Sequence, residues 1–264
     1  MFLKQAAEFF ERFFRFGGTV PMVLKLLGDD ESMEWLVKSL KERLEVNPFE
    51  QTVEEQLSAM RKQNAEGNWG ISEETLAKLA ESAPAWPKGR DAYRSFRIRF
   101  GEGNDGVAQT FEAHAAAMKR VHGEKLWRWE LLHSGKVPYK GKDVERLKLH
   151  AGNHTHHAVV EWIIVNDLSA NRKRKDVTSV RGPKSLADEG IVLAWLFPKR
   201  VQAIDYDTWC AWFCGGYESN VPEDGDEEWQ GVVIVFRDTA SGGVLLGARW
   251  RGNDDPDYSV PPLG

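Results

Sequence analysis

Several things are scarce in this chain, and each shortage narrows what it can be. There are only two cysteines, Cys210 and Cys214. Two thiols cannot build a disulfide framework, and so few fit a reducing compartment, so a cytoplasmic location is expected. Three residues separate them, whereas thiol-exchange motifs use two. With Trp209, Trp212 and Phe213 around them, they read as buried apolar cysteines. No apolar run reaches the ~18 residues that span a bilayer, so no membrane partner is expected. The phenylalanine-rich N-terminus is broken by Lys4, Glu8, Glu11, Arg12 and Arg15, which argues against a signal peptide. Net positive charge is also missing. The formal charge is −5, so nucleic acid can be attracted only by a local patch. The glycine pattern of a phosphate-binding loop is absent, as is any local signature of Ser-His-Asp or Cys-His catalysis.

The 264 residues are enough for one large domain or two small ones with a sizeable core, and 42% hydrophobic with 28% charged residues marks an ordered globular chain. Most of the eleven tryptophans fall in periodic segments, as core and half-buried sheet positions do. The other use of such residues is a stacking platform for bases or sugars.

Residues 1–88 read as a helical region. Phe2, Ala6, Phe9, Phe10, Phe13 and Phe14 share one face of a helix over 2–16. A second helix is expected over 31–46. Thr52 with Glu55 forms a capping box for one over 53–65, and Ser72 caps another over 73–82. The last two do not make a DNA-reading pair, because Glu73, Glu74 and Glu81 would be repelled by phosphates. Pro84 and Pro87 mark a boundary.

Residues 89–264 then read as an α+β domain, an α/β sandwich with a mostly antiparallel sheet. Phe96, Ile98 and Phe100 alternate with Ser95, Arg97 and Arg99, as in a half-buried strand. A helix over 107–122, a strand over 126–133 and a strand over 157–165 buried on both faces follow. Next come a helix over 186–197 capped by Ser185 and stopped by Pro198, and a short strand over 201–204. This order is β-α-β-β-α-β, a ferredoxin-like pattern. Residues 232–237 and 244–250 close the chain as a C-terminal β-hairpin.

The preferred site is the basic segment. Arg172, Lys173, Arg174 and Lys175 are consecutive, and Arg181, Lys184 and Ser185 follow at an expected helix start, where backbone N–H groups and the helix dipole favour anions. Arg97 and Arg99 on the first strand would enlarge that surface, with Arg94 beside them. A second cluster is His150, His154, His156 and His157. If the segment is extended, His154 and His156 point the same way about 6–7 Å apart, a workable pair for a divalent transition metal, with Glu161 or Asp167 supplying oxygen. His114, His122 and His133 could serve as acid–base groups. Acidic residues gather at Glu223, Asp224, Asp226, Glu227 and Glu228, and again at Asp254, Asp255 and Asp257.

Three functions follow from these features. The first is a non-catalytic binding protein that contacts an anionic partner, nucleic acid or another phosphate-bearing ligand, through the basic segment, without a cofactor. The second is a protein-interaction module using the tryptophan-rich and acidic C-terminal surface. The third is a metal-dependent hydrolase or nuclease built on the histidines.

Overall fold

The computed structural model describes residue 22 and residues 46–129, 132, 136–139, 142–145, 147–149, 157–170, 184–206, 208–219, 231–250 and 257–263. The helices expected over 2–16 and 31–46 lie outside the described residues. The chain divides into two compact units, Met1–Val46 and Asn47–Gly264, so residues 47–88 belong to the same unit as the sheets. Among the described residues no helix is long and apolar enough to cross a membrane.

Helix α1 (Val53–Gly67) starts at the expected capping box. Thr52 Oγ1 accepts the Glu55 N–H at 3.2 Å, and the Thr52 N–H donates to Glu55 Oε2 at 2.7 Å. Two otherwise orphaned donors are thereby satisfied. Helix α2 (Glu73–Glu81) starts at Ser72, whose Oγ accepts the Thr75 N–H at 3.2 Å. Both turn apolar residues inward: Leu57 and Met60 from α1, Leu76 and Leu79 from α2.

Strand β1 (Tyr93–Arg99) follows, then helix α3 (Gly103–His122), β2 (Leu126–Arg128), β3 (Lys136–Tyr139), β4 (Lys142–Glu145), β5 (Leu147–Leu149) and β6 (Val159–Val165). Helices α4 (Asp188–Leu196) and α5 (Pro198–Gln202) precede β7 (Ala211–Ser219), β8 (Gly231–Arg237), β9 (Val244–Trp250) and β10 (Tyr258–Ser259). The class is α+β. Three sheets form among the described residues. β1 pairs antiparallel with β6, β3 pairs with β4, and a six-stranded sheet runs β10-β7-β8-β9-β2 with β5 also on β7. The expected C-terminal hairpin is β8–β9, antiparallel throughout. β2 joins β9 in parallel.

Three element expectations are corrected. Val201 lies in α5 rather than in a strand, because Pro198 sits at the first position of a new helix, where its missing N–H is harmless. The residue preceding α4 is Ala187, while Ser185 bridges to Pro262 instead of capping. β6 is not buried on both faces, since it belongs to a sheet of only two strands and Glu161 on it is exposed.

β1 stays out of the larger sheet because its second edge is already occupied by side chains. Asn47 Nδ2 donates to Ala92 O at 2.6 Å, Gln56 Nε2 to Arg94 O at 2.6 Å, and His114 Nε2 meets Ile98 O at 2.6 Å. These carbonyls lie at alternate positions and face away from β6. Trp195 Nε1 donates to His114 Nδ1 at 3.4 Å, which leaves the imidazole proton on Nε2 for Ile98. Gln56→Leu is expected to destabilise the protein by about 1–3 kcal/mol, the penalty for a buried carbonyl left unpaired. An unchanged urea midpoint for that variant would show that the edge is satisfied in some other way.

α4 carries the sequence DEGIVLAWL and is buried along its whole length. A helix apolar on every side belongs inside a core, and α4 contacts β1, β7, β8 and α3.

Candidate functional site

The residues on either side of the basic segment are laced to one short stretch of chain. The Val260 N–H donates to Ala170 O at 3.1 Å, and Ser259 Oγ donates to Leu168 O at 2.7 Å. On the other flank the Leu186 N–H donates to Pro261 O at 3.3 Å, the Leu263 N–H donates to Lys184 O at 2.5 Å, and Ser185 bridges to Pro262. Val260 and Leu263 are three residues apart, at most about 11 Å along an extended chain. Ala170 and Lys184 are therefore held close together at either end of residues 171–183. That segment carries Arg172, Lys173, Arg174, Lys175 and Arg181 against Asp176 alone. Those five cations lie outside the described residues. Lys184 is exposed and Ser185 is buried.

The start of α4 is not open to an outside anion in the way the sequence suggested. Its first turn carries Asp188 and Glu189, both fully buried, and Glu189 Oε2 accepts the Ala187 N–H at 2.8 Å. The positive end of the helix dipole already faces its own carboxylates.

Arg97 and Arg99 are engaged with the same carboxylates. Arg99 Nε donates to Asp188 Oδ1 at 3.0 Å and Arg99 Nη2 to Glu189 Oε1 at 2.9 Å. Arg97 Nε reaches Glu189 Oε1 at 2.6 Å, and its Nη1 reaches Glu161 at 2.7 Å. Burial pulls the Arg99 guanidinium down, but Asp188 and Glu189 outweigh it and hold the group above its ordinary value. Arg94 is also turned inward, donating to Gln56, Pro84 O and Gln51 O and lying over Trp86 and Trp162. Strand alternation showed that these arginines share a strand. It could not show that two carboxylates from a helix ninety residues later would meet two of them.

His150, His154, His156 and His133 lie outside the described residues. His157 is exposed beside β6, and Glu161 turns its carboxylate to Arg97. Among the described residues no group of three histidine, cysteine, aspartate or glutamate side chains is placed to hold a metal ion. Asp167 is exposed, and partial desolvation pushes its carboxyl up although it accepts the Ser169 N–H. Both cysteines are buried, as expected, and burial pushes the Cys214 thiol well up. The acidic residues 223–228 and 254–255 lie outside the described residues.

His122 is buried with Nε2 at 3.0 Å from Ala194 O, and burial depresses its pKa below the ordinary 6.5. The unfolded chain therefore takes up this proton first as pH falls. The stability His122 contributes is complete above about pH 6.5 and is lost as pH drops toward the folded value. Urea midpoints measured between neutral and mildly acidic pH should fall more in the wild type than in His122→Phe. Identical falls would assign the acid sensitivity elsewhere.

One feature was not legible in the sequence. Trp127, Trp129, Phe236, Gly247, Ala248 and Arg249 line a concavity of about 180 Å³ on the six-stranded sheet. Trp127 is 51% exposed. The Arg249 guanidinium lies 5.1 Å from the centroid of the Phe236 ring. The sequence placed Trp127 and Trp129 on one strand face. Their neighbours come from β8 and β9, more than a hundred residues later. The one local hint is Gly247 inside an apolar strand, a position where glycine often marks close approach of another group.

No family model, curated protein or solved structure matches this chain.

Proposed function

We propose that the protein is a non-catalytic binding protein of the cytoplasm that holds nucleic acid through the basic segment between Ala170 and Lys184. One observation carries this reading: both flanks of that segment are tied to the same few residues, 259–263. Like charges repel, and free chain would let them spread. The thirteen residues between those tied flanks carry five cations, in a chain whose net charge is negative. A polyanion gains from such a region by releasing its condensed counterions.

The reading predicts binding that weakens steeply with salt. A labelled single-stranded oligonucleotide should lose affinity linearly on a log–log plot against salt concentration, with a slope near −0.7 for each phosphate contacted. Binding indifferent to salt, or no binding at low salt, would overturn it.

A further inference from the structure

We propose that the concavity on β2, β8 and β9 receives one unpaired nucleobase, with Arg249 at its rim taking the attached phosphate. This deepens the nucleic-acid reading and rests on it for the source of the ligand. The site itself is argued from a different part of the fold.

The strand registers place Trp127, Phe236, Gly247 and Arg249 on one face, while Ala248 and Trp129, which also line the concavity, reach it from the side of the main core. Trp127 lies opposite Leu245 across β2–β9. Phe236 lies opposite Leu245, Ile234 opposite Gly247, and Val232 opposite Arg249 across β8–β9. Leu126, Val244, Leu246 and Ala248 from the alternate positions enter the main core. Side chains of a strand alternate between faces, so Trp127, Phe236 and Arg249 stand together on the side away from that core.

The chemistry selects the ligand. A large indole half exposed at the edge of a hollow offers a π-face, and every nucleobase can stack on one. Gly247 leaves room beneath. A Cβ there would meet Phe236 Cε1 at 3.4 Å, an ordinary contact. Packing therefore does not require the glycine, while a flat ring approaching the backbone benefits from it. Arg249 is exposed, and its guanidinium lies against the Phe236 ring at the rim, where an anion can reach it. Its position over Phe236 fixes the guanidinium beside the stacking surface.

Size and polarity discriminate among occupants. About 180 Å³ is well below the ~300 Å³ of pockets that enclose drug-sized ligands, which suits a single ring system. A sugar also stacks on tryptophan, but its hydroxyls need several convergent polar partners, and Arg249 is the one charged or amide side chain in this lining. A proline-rich peptide would use the aromatic groove and leave the arginine without a role.

The test uses the full chain labelled with 5-fluorotryptophan and observed by ¹⁹F NMR, with the Trp127 resonance assigned from Trp127→Phe. Adenosine monophosphate should shift that resonance with saturation, adenosine more weakly, and ribose 5-phosphate hardly at all. Trp127→Ala should weaken adenosine monophosphate about tenfold, within the range stacking provides. Trp127→Phe should retain most of the affinity. Arg249→Gln should weaken adenosine monophosphate and leave adenosine unchanged. The proposal is overturned if ribose 5-phosphate matches the nucleotide, if the nucleotide leaves the Trp127 resonance unmoved, or if only a proline decamer moves it.

Failure here and failure of the nucleic-acid reading are separable. If oligonucleotides bind in a salt-dependent manner but intact and abasic strands bind equally, the ring site falls alone. If the nucleotide shifts Trp127 while oligonucleotides show no salt dependence, the ring site stands and the basic segment loses its role.

Discussion

Neutralising Arg172, Lys173, Arg174 and Lys175 together is expected to lower the affinity for a single-stranded oligonucleotide by about 10³-fold near ~0.1 M salt. Each phosphate neutralised on a single strand contributes roughly 0.7 to the salt slope, so four lost contacts flatten it by about 3. Extrapolated to ~1 M salt, where the counterion contribution vanishes, wild type and variant should converge. The measurement is a titration by fluorescence anisotropy at five or more salt concentrations. Parallel lines for the two proteins would mean that these residues make no phosphate contacts, and the functional reading would fail with them. An unchanged affinity near ~0.1 M salt would likewise overturn the reading.

The second large effect concerns stability. Arg99→Leu should destabilise the protein by about 3–5 kcal/mol, because removing one partner of a buried ion pair weakens the compensation of buried carboxylates in a medium that solvates them poorly. Arg99 has 4% of its side chain exposed, and Asp188 and Glu189 have none. Arg97 remains to face Glu189, so the Arg99–Asp188 contact is the principal loss. For a unit of this size the melting temperature should fall by roughly 6–20 °C, at about 2–4 °C for each kcal/mol. The double variant Arg99→Leu/Asp188→Leu should recover part of the loss, since apolar replacement of both partners is often neutral. A loss below about 1 kcal/mol in the single variant would show that water reaches the carboxylates.

What the sequence revealed and what it hid divide along physical lines. Features written in local chemistry were legible. The Thr52–Glu55 capping box, the Ser72 cap, the α3 periodicity and the β8–β9 hairpin each depend on residues a few positions apart. The buried character of Cys210 and Cys214 followed from their aromatic neighbours. Features made by distant pairing were not. Arg97 and Arg99 alternate with apolar residues and so resemble the solvent face of a strand. Arg99 is buried and Arg97 half-buried because Asp188 and Glu189 arrive from α4. Pro198 reads as a stop signal in isolation, yet Phe197 and the residues after it make it the start of α5. The aromatic concavity depends on a parallel pairing between β2 and β9 that no local pattern announces.

That same pairing bears on how the chain acquires its structure. β8 and β9 are joined by a short turn and can close on the microsecond timescale typical of hairpins, about 1–10 μs. β2 must instead wait for a partner whose residues begin 118 positions later, from Leu126 to Val244. Loop closure over that span is entropically slow, and topologies rich in such contacts fold in milliseconds to seconds. Until β2 docks, the outer edge of β9 presents unpaired N–H and C=O groups beside Val244 and Leu246. The interval before docking is therefore when the nascent sheet is most exposed to joining an edge from another molecule.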